Sequence, residues 1–579
     1  MFWERTTGFL RGLVPVSFQG TAEHARERRL LLDTVALGVV GALGAQLFNA
    51  LLRVSSDLFL GRLAGYHPPG LPNEGGAANE IVGPFGFWLI PVSTTLGGLL
   101  VGLLVERFAP EAEGHGTDAV IKAFHRADGE LRARVPLVKL LASALTIGSG
   151  GVAGREGPMA LITGGIGSFY ASVTGRRGRD RRLLLLIGMA AGLSAIFRSP
   201  IGAALLAVEI PYADMEFEPG ALLYTAIGAI VAYAVNGLFV GWEPLFRVSA
   251  LAGKLPSVLN YGWYVVLGLT AGVVATVLPV VFYRARDFFR RLPLSPYLRP
   301  ALGGLIAGLI AVAVPKVIGG GYGWIQQAID GQLALLTLAI LIVAKMVAMS
   351  ATVGSGGSGG VFAPTLFIGA MLGGTCAALF HQPPAPFVVV GMAAVFAGAA
   401  HVPIATMMMV TEMTGGYQLL VPATLAVVLS YLLQMRLSSS LQYRSVYEAQ
   451  VRSLADSPAH HTKHLEIALQ ILRQKGLHHV ADDNELELLS LLRGGIPVEL
   501  PGERRLVVGV LRQASALVQS TIAESSAVFD PERTKIIGVI RGEHMLGPRP
   551  DLVLQTGDRL ILVAGAADMD SVWKQLESW

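Results

Sequence analysis

Long apolar segments recur through the first three quarters of the chain and restrict the folds that it can adopt. Several are interrupted by glycine or proline, or are shorter than the roughly 20 residues that a simple membrane-spanning helix needs. Only 15% of the 579 residues are charged and 52% are hydrophobic, whereas about 25% of residues are charged in a soluble domain. We therefore predict an all-α polytopic membrane protein with tilted and broken helices. The segments begin near Leu31, Phe85, Val135, Leu183, Gly220, Gly262, Ala301, Leu333, Val361, Phe387 and Leu419.

Clusters of arginine predict the orientation in the lipid bilayer. Arg26, Arg28 and Arg29 lie just before the first apolar segment, and "GRRGRDRR" (175–182) and "FYRARDFFRR" (282–291) lie between later ones. Because cytoplasmic loops carry an excess of Lys and Arg, residues 1–29 are expected to form a cytoplasmic N-terminal segment. They show no signal-peptide cleavage pattern. We expect a multi-pass protein of the inner membrane with both termini in the cytoplasm.

The composition becomes polar from about Ser438 onward, and no further apolar segment follows. Residues 451–495 are predicted to form a linker and a helix; "SPAHHTKH" (457–464) lies within them, and its histidines are also a weak metal signal. Residues 496–579 are predicted to form a small cytoplasmic α/β domain, with strands at "RLVVGVL" (505–511), "KIIGVIR" (535–541) and "DRLILVAG" (558–565). The single cysteine, Cys376, can form neither an intrachain disulfide nor a zinc site. We expect no metal site and no cofactor in the membrane region.

Two motifs occur twice at nearly the same separation. "GSGGVAGREGP" begins at Gly148 and "GSGGSGGVFAP" begins at Gly354, 206 positions later (354 − 148). "FRSPIGAALLAVE" ends at Glu209 and "AHVPIATMMMVTE" ends at Glu412, 203 positions later (412 − 209). The agreement indicates an internal duplication. It divides a membrane domain at 30–450 into halves at about 30–240 and 260–450.

Paired, glycine-interrupted segments at matching positions of two halves point to a binding site near the middle of the membrane. Helices that begin there direct unbonded backbone N–H groups and a positive dipole end at the site, which favours an anion. Glu156, next to Arg155, is the one carboxylate in these loops. Ionised, Glu156 could occupy the place of the anion, and protonated it could leave, which would couple anion passage to pH. Alternatively, Glu156 and Arg155 neutralise each other at a helix end.

Four stretches together resemble the CLC chloride channel and transporter family over residues 30–450. They are "GREGP" (154–158), "GGVFAP" (359–364), "FRSPIGAALLAVE" (197–209) and "TEMTGGYQLLVP" (411–422). The resemblance implies a homodimer with one pore in each subunit. It also implies that the two halves are inverted repeats of tilted, often incomplete helices.

The resemblance also implies roles for individual residues. Glu156 matches the gating glutamate, and the backbone amides of Gly360, Val361 and Phe362 would bind the central anion. Tyr447 in "SVYEAQ" resembles the pore tyrosine, and Tyr443 is the alternative because the register there is loose.

Two positions depart from the family pattern. The first pore motif, commonly Gly-Ser-Gly-Ile-Pro, reads "GHGTD" (114–118) here, so Gly114, His115 and Gly116 would contact the anion with a histidine in place of the serine. The alternative is that only the backbone matters there. Ile210 stands where exchangers carry an internal proton-transfer glutamate, beside Glu209, which is a candidate for a proton pathway with Glu156 or a structural residue. We therefore favour an uncoupled, channel-like chloride conductance over a proton-coupled chloride antiporter.

The C-terminal segment from "SALVQSTIAESSAV" to "LILVAG" resembles the regulatory subdomain (TrkA-C or RCK-C) of bacterial potassium-uptake regulators. The resemblance implies a dimerising, ligand-sensing module, and in some relatives a cyclic dinucleotide binds at the dimer interface. A role limited to stabilising the assembly is the alternative.

Two further functions have weaker support from the sequence. "TVGSG" (352–356) is close to a potassium-filter pattern, but such a filter needs four converging strands. "GGSG" (356–359), with His381 or His401 as a base, fits an intramembrane serine protease, but protease chemistry does not explain the duplication. We expect no enzyme, no catalytic residue and no nucleic-acid partner.

Overall fold

The computed structural model describes residues 22–71, 77, 79–248, 261–454, 457 and 498–577, apart from gaps at 501–503, 513–514, 531–532, 542–543, 547 and 566–567. The chain divides into two units, Met1–Gln450 and Val451–Trp579. Residues 1–21 of the predicted N-terminal segment, and almost all of the linker and helix predicted at 451–495, lie outside the described residues.

The described part of the first unit contains two series of helices in the same order. The first series is α1 (Ala22–Ser56), α2 (Ile90–Phe108), α3 (Thr117–Arg126), α4 (Arg134–Gly148), α5 (Glu156–Val173), α6 (Gly178–Phe197), α7 (Pro200–Glu209) and α8 (Pro219–Val240). The second series is α9 (Tyr261–Arg291), α10 (Arg299–Ala313), α11 (Tyr322–Ile329), α12 (Leu335–Gly354), α13 (Phe362–Leu379), α14 (Pro384–Ala400), α15 (Pro403–Thr414) and α16 (Leu420–Ser438). The predicted all-α membrane fold with two repeated halves is confirmed.

Many of these helices are too short to cross a bilayer. Within the described residues, eight helical segments are long and apolar enough to span a membrane. In contrast, α7 has 10 residues and α15 has 12, which corresponds to roughly 15–18 Å of helix. Each of these two helices begins at a proline, a residue that suits the first helical position because its missing N–H is not needed there.

The same backbone break precedes both short helices. Arg198 ends α6 with φ 53°, and His401 ends α14 with φ 59°. Both residues adopt the left-handed conformation that is uncommon outside glycine. The repeat therefore extends from sequence to backbone geometry, because the two residues are 203 positions apart (401 − 198).

The two glycine-rich loops pair directly with each other. The Gly154 N–H donates to the Gly360 carbonyl oxygen and the Gly360 N–H donates to the Gly154 carbonyl oxygen, both at 2.7 Å. A second reciprocal pair flanks this bridge: the Val152 N–H donates to Thr352 Oγ1 and the Ser358 N–H donates to Thr146 Oγ1, both at 3.1 Å. Equivalent residues thus exchange equivalent contacts, as a local two-fold relation between inverted halves requires.

Two buried glutamates cap each other's short helix. Glu209, at the end of α7, accepts from the N–H groups of Ile404 (3.1 Å) and Ala405 (2.6 Å) in the first turn of α15. Glu412 of α15 accepts from the N–H groups of Ile201 (3.2 Å) and Gly202 (2.8 Å) in the first turn of α7. The first N–H groups of a helix have no partner within the helix. Each glutamate therefore satisfies the helix start of the other half.

The first unit also contains one short strand pair, β1 (Tyr66–His67) and β2 (Ile81–Val82). The second unit is built on antiparallel strands. They are β3 (Val498–Leu500), β4 (Arg504–Leu511), β5 (Lys535–Arg541), β6 (His544–Leu546), β7 (Arg559–Gly565) and β8 (Leu576–Glu577), in the order β3-β4-β7-β5-β6 with β8 beside β4. A short helix, α17 (Met569–Gln575), follows β7. Leu560, Leu562 and Ala564 of the central strand β7 enter the core. The predicted small α/β domain is confirmed, including its three strands.

Replacing either capping glutamate by glutamine should destabilise the membrane unit. A glutamine would present an NH₂ group to backbone N–H donors that need an acceptor, and we expect a loss of about 1–3 kcal/mol for each of Glu209→Gln and Glu412→Gln. Thermal unfolding in detergent, followed by size-exclusion chromatography, measures the loss. Glu106→Gln, on the exposed face of α2, is the matched control. Melting temperatures equal to wild type in both capping variants would show that the caps are not needed.

Adding a methyl group at Gly360 should disrupt the bridge between the loops. A Cβ there would lie 2.8 Å from the Gly157 nitrogen and 3.0 Å from the Gly154 carbonyl oxygen, and both are backbone atoms. We expect Gly360→Ala to cost about 1–3 kcal/mol, the usual range for overpacking. Gly262→Ala is the control, because a Cβ at Gly262 meets no atom within 4 Å. The same thermal assay separates the two variants, and equal stability would contradict the close packing described here.

Candidate anion-binding site

Three helix N-termini converge at the bridge between the loops. They belong to α3, α5 and α13, and Gly157 lies where they meet. A methyl group at Gly157 would lie 2.3 Å from the His115 carbonyl oxygen, 3.0 Å from Gly360 Cα and 3.3 Å from Thr117 Oγ1. The glycine therefore allows three backbone segments to approach closely. Helix N-termini gathered in this way form a site suited to an anion.

The Glu156 side chain occupies this convergence. It is fully buried at the first position of α5. The Tyr322 hydroxyl donates a hydrogen bond to Glu156 Oε1, and the backbone N–H of Ala363 in the first turn of α13 is directed at the carboxyl group. Oε2 makes no hydrogen bond within the described part of the chain and lies against the backbone of Gly154. A carboxylate thus stands between the N-terminal ends of α5 and α13.

The Arg155 side chain forms a hydrogen bond with a residue other than Glu156. Its guanidinium donates to Asn49 Oδ1 at 3.2 Å and lies 5.2 Å from the centre of the Tyr322 ring. It still interacts electrostatically with the Glu156 carboxyl group. Arg155 therefore adds positive charge to the site without being the group that positions the carboxylate.

The three residues predicted to bind the central anion through their amides lie at the start of α13. The Gly360 N–H is already used in the bridge to Gly154, which the sequence did not indicate. Val361 is the N-cap residue and Phe362 the first residue of α13. The Phe362 ring is buried against Phe197 and Phe396, with centroid distances of 4.5 and 3.9 Å. In this conformation the amides of Val361 and Phe362 remain the candidates from this segment.

The first pore motif forms a tight turn ahead of α3. Gly114 has φ 71° and Gly116 has φ 85°, values that glycine adopts without strain. The His115 ring is buried, and its Nε2 lies 3.1 Å from Asp118 Oδ2, while the ring packs edge-on against Tyr447 at 5.5 Å. The imidazole thus pairs with a carboxylate, and the His115 carbonyl oxygen is the atom next to Gly157.

Tyr447, and not Tyr443, lies at the helix N-termini. Tyr447 is buried, and its hydroxyl forms a hydrogen bond with the Thr117 side chain at the start of α3. It is also close enough to Glu156 to interact electrostatically. Tyr443 instead stacks on Tyr283, with 4.2 Å between the ring centres. Of the two candidates, Tyr447 is the one beside the helix N-termini.

Two buried lysines hold the turns that precede α3 and α11. Lys139 donates to the carbonyl oxygens of Ala112 (3.1 Å) and Gly114 (2.6 Å). Lys345, 206 positions later, donates to those of Val317 and Gly319, both at 2.7 Å. Both side chains are fully buried. Polar partners are needed there because a buried ammonium group is costly without them, and these bonds tie each turn to a neighbouring helix.

Tyr322, Lys139 and Lys345 were not predicted as site residues, although the internal repeat relates Tyr322 to Thr117 and Lys345 to Lys139. "GHGT" (114–117) has a counterpart in "GGGY" (319–322), 205 positions later (319 − 114). Gly319 and Gly321 have φ 59° and 83°, close to the values in the first turn. Applying the repeat separation to the first pore motif would have located Tyr322 as the counterpart of Thr117.

Glu209, the second candidate for a proton pathway, lies at the contact between α7 and α15. Both of its carboxyl oxygens accept backbone hydrogen bonds from α15, and Glu412 repeats this arrangement. Ile210 is buried, and its carbonyl oxygen accepts from Gln450 Nε2 at 3.0 Å. The geometry thus gives Glu209 a capping role and places an aliphatic side chain beside it.

Comparison with known proteins identifies a family for each of the two units. Residues 97–435 match the voltage-gated chloride channel family, and residues 507–576 match the TrkA-C domain. A ClcB-like protein of Ralstonia nicotianae is 34% identical over 60% of this chain and 82% of its own length. The voltage-gated ClC-type chloride channel ClcB of Shigella flexneri is 31% identical over 72% of this chain and 98% of its own.

Solved structures share the fold. A slow cyanobacterial Cl⁻/H⁺ antiporter aligns with a TM-score of 0.62 and 23% identity, covering 72% of this chain and 96% of that one. A CLC-type fluoride/proton antiporter aligns with a TM-score of 0.62 and 22% identity, covering 75% and 100%. Since the family model matches more than half of the chain, this protein belongs to the voltage-gated chloride channel family and carries a C-terminal TrkA-C domain.

Proposed function

We propose that this protein conducts chloride passively across the membrane and that Glu156 is its gate. The buried Glu156 carboxylate between the N-termini of α5 and α13 carries the proposal. Those helix ends favour a negative charge, and the carboxylate occupies the place that an anion would take. The relatives named chloride channels support chloride as the ion.

Protonation would open this path. A neutral carboxyl group loses most of its attraction to the helix N-termini, so a chloride ion can displace it. At high pH the ionised side chain competes with the anion and the path is closed. We therefore expect chloride flux to increase as the pH falls.

The environment of Glu209 supports the absence of proton coupling that we propose. A proton that crosses on its own route needs protonatable groups or water within the hydrocarbon region. Ile210 cannot accept a proton, and both oxygens of Glu209 are bonded to backbone N–H groups. These contacts support passive movement of chloride alone rather than exchange of chloride for protons.

We further propose that the protein is a homodimer of the inner membrane with both termini in the cytoplasm. The family resemblance supports one pore in each subunit, and the arginine clusters support the orientation. The TrkA-C domain would then be a cytoplasmic regulatory module. A cyclic dinucleotide is the ligand that its resemblance suggests, and equilibrium dialysis of the full chain with cyclic di-AMP tests this.

Glu156→Gln should remove most of the pH dependence of transport. The amide has no charge to compete with chloride, so efflux from proteoliposomes should remain high between about pH 4.5 and 7.5, whereas wild-type efflux should fall by about tenfold or more over the upper part of that range. Glu106→Gln is the control for an exposed site. A pH profile in Glu156→Gln that matches wild type would remove Glu156 from the gate.

Simultaneous recording of chloride and proton movement tests the coupling. An imposed chloride gradient should drive no uphill proton movement in wild-type proteoliposomes, because Ile210 cannot carry a proton and both oxygens of Glu209 are engaged in the cap. A protonophore added at the end confirms that the pH electrode responds. Chloride-driven proton pumping, above all if it survives Glu209→Gln, would show that the protein is an exchanger.

A further inference from the structure

We infer that Tyr322 is a positioning residue that holds the Glu156 gate in its closed position. The inference rests on the proposed gating function of Glu156. Tyr322 is the first residue of α11, in the second half of the chain, whereas Glu156 is the first residue of α5, in the first half. The Tyr322 hydroxyl donates to Glu156 Oε1. The contact thus joins the two halves through the group that is proposed to move.

The Tyr322 ring is held by aromatic and cationic neighbours. The Phe246 ring centre is 5.9 Å away, and the Arg155 guanidinium carbon lies 5.2 Å from the Tyr322 ring centre. A cation over an aromatic face is attracted by the ring quadrupole. These neighbours orient the ring so that its hydroxyl is directed at the Glu156 carboxyl group.

The backbone under Tyr322 is fixed as well. Gly321 precedes it with φ 83°, and a methyl group there would lie 2.5 Å from the Phe367 ring and 3.1 Å from Lys345 Nζ. Lys345 bonds the carbonyl oxygens of Val317 and Gly319 in the same turn. A short helix that begins from such a turn cannot easily move its first side chain.

The position in the first half that corresponds to Tyr322 also bonds a side chain of the site. Thr117, the counterpart of Tyr322, begins α3 and bonds the Tyr447 hydroxyl. The first residue of each of these helices therefore bonds one side chain of the site. Tyr322 bonds Glu156, and Thr117 bonds Tyr447.

The bond favours the ionised gate. A hydroxyl donates more strongly to a carboxylate than to a neutral carboxyl group. Removing a hydrogen bond to a charged group changes an equilibrium by roughly 10-fold to 100-fold. Tyr322 therefore stabilises the closed, ionised state selectively.

Other titratable or cationic side chains also face this region, and each must be accounted for in a pH profile. They are Arg155 on the same element as the gate, His115 and Tyr447 near α3, and the buried Lys139 and Lys345 behind the two turns. None of them changes in a Tyr322→Phe variant. A shift of the profile in that variant therefore reports the loss of the hydroxyl.

The test is Tyr322→Phe in the full-length protein in proteoliposomes. We expect chloride efflux at neutral pH to rise by about tenfold, and the pH of half-maximal activation to move upward by about one unit, because the closed state has lost a charge-assisted hydrogen bond. Tyr233→Phe is the matched control, since that hydroxyl donates to the Trp242 carbonyl oxygen outside the site, at 2.9 Å. Thermal unfolding of both variants detects any general destabilisation.

A second comparison separates this inference from the gate itself. In a Glu156→Ala background there is no carboxylate to hold, so adding Tyr322→Phe should change efflux by less than about twofold. An equal increase in both backgrounds, or an unchanged pH profile in Tyr322→Phe alone, would overturn the positioning role. If Glu156→Ala itself kept the wild-type pH profile, the gate would fail, whatever Tyr322 does.

Discussion

Helices that end inside a membrane must find partners for their free backbone N–H groups, and the architecture of this protein depends on how it meets that need. Water is absent from the hydrocarbon region, so each unsatisfied group is costly. Glu209 and Glu412 meet the need for α7 and α15 by capping each other's helix. The N-termini of α5 and α13 instead face the Glu156 carboxyl group, which we propose an anion can displace.

The buried lysines supply donors to backbone carbonyl oxygens, as the glutamates supply acceptors to backbone N–H groups. Turns that precede a buried helix expose carbonyl oxygens, and Lys139 and Lys345 each bond two of them. Each turn is thereby held against a neighbouring helix, and the helices that follow the turns, α3 and α11, begin at fixed positions beside the site.

Much of the fold could be predicted because apolar segments and repeated motifs are local signals. The predicted segments correspond to helices, and the repeat separation correctly related α7 to α15. Five helices, α3, α5, α7, α11 and α15, were not among the predicted apolar segments. In α5, glycines such as Gly165 and Gly167 lower the hydropathy while allowing the helix to pack closely against its neighbours. Small residues at helix contacts thus hide a helix from a hydropathy criterion.

The site was only partly predictable, for a different reason. Motifs pointed to Glu156 and Tyr447, but Tyr322, which donates to the Glu156 carboxyl group, belongs to an eight-residue helix with no apolar run. The use of the Gly360 N–H by Gly154 is a contact across 206 positions (360 − 154) that no local pattern encodes. Such contacts exist only once the two halves have docked.

The exchanged contacts between the halves have the geometry of an isologous interface, the type found in two-fold symmetric dimers. Two identical chains could make the Gly154–Gly360 bridge and the mutual glutamate caps equally well, but identical chains would carry a gate on both sides or on neither. Fusion into one polypeptide lets corresponding positions differ: Glu156 has Phe362 as its counterpart, and Thr117 has Tyr322. A symmetric scaffold can thereby carry an asymmetric site, as the single gate that we propose at Glu156 requires.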